Sequence, residues 1–128
     1  MSDKILIIDD DTDLVEAVST LLEANNYTVL QAHTADEGYD TALKENPDLI
    51  LLDVMISTKT DGIELAKKLD ADEKIKNIPV IMITGIRRDL NLPFGLEPDP
   101  NFLPVEAFLE KPIKPDVLLN NITALLKK

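Results

Sequence analysis

The chain has 128 residues, 45% of them hydrophobic and 4% aromatic, with a formal net charge of −11 at pH 7 and no cysteine. That length suits one domain with a core of Ile, Leu and Val, and the acidity, without any block of Lys and Arg, argues against direct binding of nucleic acid or of an anionic membrane. Disulfides and thiolate metal sites are excluded, and with neither a signal peptide nor an apolar stretch near the roughly 20 residues of a membrane span, a cytoplasmic protein is expected.

The first apolar run, Ile5–Ile8, stops at two acids, Asp9-Asp10. A helical segment follows with Leu14, Val18, Leu21 and Leu22 on one face, and it ends at Asn25-Asn26, residues that tolerate a helix C-cap. Asp11 and Asp13 are expected to serve the positive end of that helix. The second run is Val29–Ala32, with His33, the only histidine, read as a loop residue after it. Thr34-Ala35-Asp36-Glu37 has the form of a capping box and starts a second helix.

The third run, Leu49–Leu52, stops at Asp53, and a third helix follows Asp61-Gly62 to about Leu69. Val80–Ile83 leads to Thr84. Between Gly85 and Ala107 the helical pattern fails, because Pro93, Pro98, Pro100 and Pro104 fall there. A proline inside a helix costs about 3 kcal/mol, so a short helix or irregular loop is expected. The fifth run is Ala107–Leu109, followed by a last helix with Leu118, Ile122 and Leu125 on one stripe after Pro115, closing at Lys127-Lys128. Continuous apolar runs suit parallel strands buried on both faces, and the alternation with helices predicts an α/β fold of five βα units.

In such sheets ligands sit beyond the carboxyl ends of the strands, where Asp9, Asp10 and Asp53 would converge. Magnesium accepts one or two carboxylates, a backbone carbonyl, a phosphoryl oxygen and waters. Asp10 and Asp53 could ligate it directly and Asp9 through water. Without a cation, carboxylates about 4 Å apart repel by roughly 4 kcal/mol per pair at an effective dielectric near 20. A carboxylate can also attack phosphorus. Asp53 is then the nucleophile, Lys111 the ammonium that neutralises charge and Thr84 the hydroxyl donor.

Asp9-Asp10, Asp53, Thr84-Gly85 and Lys111-Pro112, in this order and each at a strand end, resemble the receiver domain of two-component response regulators, of the stand-alone, chemotaxis-regulator-like kind. The resemblance runs from about Lys4 to Leu126. It implies a flavodoxin-like, doubly wound five-stranded parallel sheet in the order 2-1-3-4-5. It implies a phosphoryl group accepted on Asp53 from a sensor histidine kinase or histidine phosphotransfer protein, with Mg2+ as cofactor. Met55 would offer its carbonyl to the metal, Phe108 and Thr84 would form the switch, and the Lys111-Pro112 bond would be cis.

The stretch from Asp53 to Asp61-Gly62 is one residue longer than the family pattern and lacks its proline, and the interval from Thr84 to Lys111 is longer than usual. The family's common dimer is therefore not carried over, and a monomer or an atypical dimer is expected. Met55 and Ile86 stand at positions that tune phosphoryl lifetime in the family. Neither orients a water by hydrogen bonding, so a long-lived acyl phosphate is expected.

The reading is a single receiver domain over residues 1–128 with no output domain, signalling to a downstream protein and catalysing only its own phosphorylation and dephosphorylation. Alternatives are a constitutive interaction module with the same fold, or the receiver of a longer regulator. A magnesium-dependent phosphatase is disfavoured, because Val54 and Met55 stand where its second acid would be.

Overall fold

All five apolar runs enter one parallel sheet, in which the second run lies at one edge and is followed by the first, third, fourth and fifth. The computed structural model describes residues 3–53, 61–84, 107–110 and 113–126, with the backbone alone for 61–63, 84, 108 and 110. The strands are β1 (Lys4–Ile8), β2 (Thr28–Ala32), β3 (Leu49–Asp53), β4 (Val80–Thr84) and β5 (Ala107–Glu110). The helices are α1 (Thr12–Ala24), α2 (Ala35–Glu45), α3 (Asp61–Ala71) and α4 (Pro115–Leu126). The expected topology is therefore present. Residues 85–106, with the four prolines, and Lys127-Lys128 lie outside the described residues.

The apolar runs are continuous because side chains alternate between two core layers. Ile5, Ile7, Leu49, Leu51, Ile81 and Ile83 pack on one face with Val15, Val18 and Leu22 of α1 and Leu118 and Ile122 of α4. Leu6, Ile8, Ile50, Leu52 and Met82 pack on the other with Ala42 of α2 and Leu65, Ala66 and Leu69 of α3. At β2 the expectation of burial on both faces is corrected. As an edge strand it leaves Thr28 and Gln31 exposed and Val29 and Leu30 half-buried. Gln31 Nε2 donates to the buried Ser19 Oγ of α1 at 2.9 Å.

Local chemistry ends the helices where the sequence marks them. At the end of α1 the Asn26 N–H donates to the Glu23 carbonyl at 3.1 Å and the Tyr27 N–H to the Leu22 carbonyl at 3.0 Å, a Schellman motif. Asn26 takes the left-handed φ of 73° that the motif requires. At the start of α2 Thr34 Oγ1 accepts from the Glu37 N–H at 3.1 Å. Glu37 Oε1 accepts from the His33 N–H at 2.7 Å, one residue before the cap, so the expected box is displaced by one position. At the opposite end of the sheet Asp48 Oδ2 accepts from the Lys4 N–H at 2.7 Å and ties the start of β1 to the start of β3.

Candidate metal centre

The strand order reverses between β1 and β3, since β1 continues through α1 to β2 on one side while β3 lies on the other. Such a switch point leaves a crevice beyond the strand ends. Ile8 pairs with Leu52 in the β1–β3 ladder, so the next residues, Asp9 and Asp53, fall side by side. Carboxylate oxygens of Asp9, Asp10 and Asp53 all lie within 4.8 Å of one another. Asp9 is fully buried and Asp53 is 4% exposed, while Asp10 is exposed.

The cluster is held from both flanks. The Asp9 N–H donates to the Ala32 carbonyl at 3.0 Å, fastening the acid to the end of β2. Asp9 Oδ1 accepts from the Asp11 N–H at 2.9 Å. Asp11 is the N-cap of α1, its Oδ1 accepting from the Leu14 N–H at 3.1 Å, and Asp13 lies in the first turn. Both acids thus serve the helix end, as expected, and the positive end of α1 starts within two residues of Asp9. Three converging carboxylates supply only oxygen donors, two of them shielded from bulk water. That donor set fits a hard divalent cation such as magnesium and offers nothing to a soft metal.

Thr84 closes β4, the strand beside β3, one residue beyond Ile83, the partner of Asp53. Glu110, which precedes Lys111, pairs with Thr84 on β5, and Phe108 pairs with Met82. Met55, Lys111 and Pro112, with the side chains of Thr84 and Phe108, lie outside the described residues. His33 is outside the acid cluster.

Three features have no counterpart in the sequence reading. The Tyr39 hydroxyl of α2 donates to Asp72 Oδ2, just past α3, at 2.6 Å, and Lys68 Nζ stands 4.0 Å from the Tyr39 ring centroid. That hydrogen bond is the main cause that raises the Tyr39 phenol and lowers the Asp72 carboxyl from their usual ranges. An apolar cavity of about 450 Å³ opens between Leu14, Ala17 and Leu21 of α1 and Ile113, Pro115 and Leu118 at α4. Gly38 of α2 lies against Ile8 of β1. Only the apolar character of these residues, which they share with ordinary core positions, could have marked the last two.

A doubly wound parallel sheet with an acid cluster at its switch point defines the flavodoxin-like receiver class. The chain belongs to the response regulator receiver domain family, whose family model matches residues 5–123. It is 35% identical over 124 residues to the phosphate regulon transcriptional regulatory protein PhoB of Pseudomonas aeruginosa, covering 97% of this chain and 52% of that protein. It is 37% identical over 127 residues to the transcriptional regulatory protein CpxR homolog of Haemophilus influenzae, covering 98% and 51%. The chain thus spans about half the length of these curated relatives.

Among solved structures, a CheY-like response regulator receiver domain protein of Methanospirillum hungatei superposes with a TM-score of 0.80 at 28% identity, covering 98% of this chain and 94% of that one. The signal receiver domain of a signal transduction histidine kinase of Syntrophus aciditrophicus gives 0.79 at 26% identity, covering 98% and 90%. Phosphorylation and Mg2+ binding at the acidic cluster are typical of the family. Among the described residues no helix is long and apolar enough to cross a membrane.

Proposed function

We propose that this chain is a phosphoacceptor receiver that takes a phosphoryl group on Asp53 and signals by binding another protein. The observation that carries the reading is the position of Asp53, which ends β3 with a carboxylate oxygen within 4.8 Å of those of Asp9 and Asp10. Asp9, Asp10 and Asp53, with the Met55 carbonyl, would hold magnesium. When bound, the ion neutralises charge on the phosphoryl oxygens and brings the donor to the nucleophile.

An Asp53 carboxylate oxygen attacks phosphorus, and the P–N bond of a phosphohistidine breaks as the imidazole leaves. The Asp11 N–H keeps Asp9 oriented during this exchange. The Thr84 hydroxyl and the Lys111 ammonium would bind the transferred oxygens, and Thr84 with Phe108 would carry the change to a distant face. The Lys111-Pro112 peptide would be cis.

The donor would be a sensor histidine kinase or histidine phosphotransfer protein. The apolar cavity supports a place for it, since its wall begins at Leu14, whose N–H bonds Asp11 at the edge of the acid cluster. Residues 1–128 form a single receiver domain in this reading, with a downstream protein as target. The half-length match to transcriptional regulators favours a second reading, in which the same receiver is one part of a longer regulator. The mass of the protein isolated from its source cells separates the two.

The phosphoacceptor role is tested by intact mass after incubation with magnesium and acetyl phosphate. One added phosphoryl group is expected, absent without magnesium and absent in Asp53→Asn. A folded, magnesium-binding protein that gains no adduct would overturn the reading in favour of a constitutive interaction module.

A further inference from the structure

Strand β2 has β1 on one side and, among the described residues, no strand on the other. The Thr28 N–H donates to the Asp3 carbonyl at 2.9 Å, and the Ala32 carbonyl accepts from the Asp9 N–H at 3.0 Å. Successive peptide groups of a strand point to opposite sides, so Thr28, Leu30 and Ala32 turn theirs to β1. The N–H and carbonyl groups of Val29 and Gln31 therefore face away from the sheet, and among the described residues no hydrogen bond reaches them.

Exposed edges are commonly blunted by charge, proline or a bulge. In β2 the sequence Thr-Val-Leu-Gln-Ala is uncharged, and its pairing with β1 runs unbroken from Lys4 and Thr28 to Ile8 and Ala32. The charge stands beside the strand instead. Between Lys4 and Lys44 the chain carries six acids from Asp9 to Glu23 and three from Asp36 to Asp40, with no Lys or Arg. On α1 the exposed Glu16 and Glu23 lie three residues before and four after Ser19, hence in its row on the helix surface. Ser19 Oγ accepts from Gln31 Nε2, so that row borders the open edge. On the α2 side Glu37 bonds the His33 N–H just past the strand, and Lys44 offsets part of the acid excess.

We propose that the β2 edge takes up an extended segment of a partner protein that carries Lys or Arg at every second position. The segment pairs its backbone with Val29 and Gln31 and turns alternate side chains to the α1 side, where Val29 packs and Gln31 reaches Ser19. Basic residues there meet Glu16 and Glu23, which stand about 10 Å apart along α1, the length of about three extended residues. A second copy of this chain brings the same acids beside the same strand, and like charges oppose that pairing. The surface is separate from Asp53 and does not depend on its phosphorylation.

The test titrates the whole chain with a short peptide of alternating Lys and Val, with the same peptide N-methylated at every Lys or at every Val, and with one of alternating Glu and Val. The Lys and Val peptide is expected to bind and to slow exchange of the Val29 and Gln31 amides, read by NMR, about tenfold. Only one edge of the peptide meets β2, so one methylated form binds about tenfold more weakly and the other keeps its affinity. The Glu and Val peptide does not bind. Glu16→Gln combined with Glu23→Gln weakens binding of the Lys and Val peptide about fivefold, the size of two exposed ion pairs.

Equal binding of the two methylated forms, or binding that leaves both amides exchanging at their free rate, means charge attraction without strand pairing and overturns the proposal. An unchanged affinity in the double variant overturns it too, as does a Lys and Val peptide that does not bind. A chain that self-associates with the same two amides protected makes a second copy the occupant and also overturns it.

Discussion

Asp9 and Asp53 stand side by side because Ile8 and Leu52, the residues before them, pair in the parallel β1–β3 ladder. Asp9, Asp10 and Asp53 bring like charges within 4.8 Å of one another, a repulsion that a bound cation would offset. Asp9→Asn is expected to raise the metal-free Tm and to abolish the rise that magnesium causes. At a magnesium concentration about 100 times Kd the wild type gains about 2.7 kcal/mol, or roughly 10 °C for a domain of this size. Thermal melts with and without the ion check both signs.

The left-handed backbone at Asn26, with φ of 73°, separates two substitutions that differ by one methyl. Asn26→Ala is expected to cost about 1 kcal/mol, because an L side chain without a local hydrogen-bonding group is disfavoured there. Asn26→Gly is expected to be neutral to within a few tenths of a kcal/mol. Urea unfolding of the two variants measures the difference.

The Tyr39–Asp72 bond joins α2 to the end of α3 and makes a pH-dependent contribution. The Tyr39 hydroxyl is the first cause, and the Lys74 N–H the second, that hold the Asp72 carboxyl below its usual range. A lowered carboxyl stabilises the fold above its unfolded pKa of about 3.9, and the contribution is lost as pH falls through the folded value. The stability difference between wild type and Tyr39→Phe is therefore expected to be constant near neutrality and to shrink in acid. Denaturant midpoints across that range read it directly.

Ala17 is exposed on α1 and lines the apolar cavity. Ala17→Arg places a charge in the proposed docking surface without touching the acid cluster. Phosphorylation by acetyl phosphate is expected to be unchanged, while transfer from a cognate phosphohistidine protein slows about tenfold, equivalent to about 1.4 kcal/mol of docking energy. Parallel rate measurements with the two donors make the comparison.

The fold was largely legible in the sequence. Each strand announced itself as an apolar run, and each observed strand extends its run by one residue at one end: Lys4 before Ile5, Thr28 before Val29, and Asp53, Thr84 and Glu110 at the far ends. Helix α1 was less well read. Val15 and Ser19 are buried while Leu14 and Leu21 are only partly so, because the stripe turns toward the sheet at an angle that hydrophobicity alone does not mark. The partial exposure of β2 was not marked by its run, although the order 2-1-3-4-5 implied by the resemblance already put it at the edge, since an apolar run looks the same in the middle of a sheet and at its rim.

What the sequence determined by itself rests on interactions within a few residues. The Asn25-Asn26 stop, the Thr34 cap and the acids closing β1 and β3 follow from backbone hydrogen bonds and side-chain periodicity that need no distant partner. The tertiary structure alone decided that Asp9 is buried and Asp10 exposed, that Tyr39 reaches Asp72 across 33 positions, and that Ile8 fills the space beside Gly38. Those outcomes depend on how helices seat on a sheet whose strands are brought together from far along the chain. A close-packed interior allots each such space to one side chain only when every neighbour is in place.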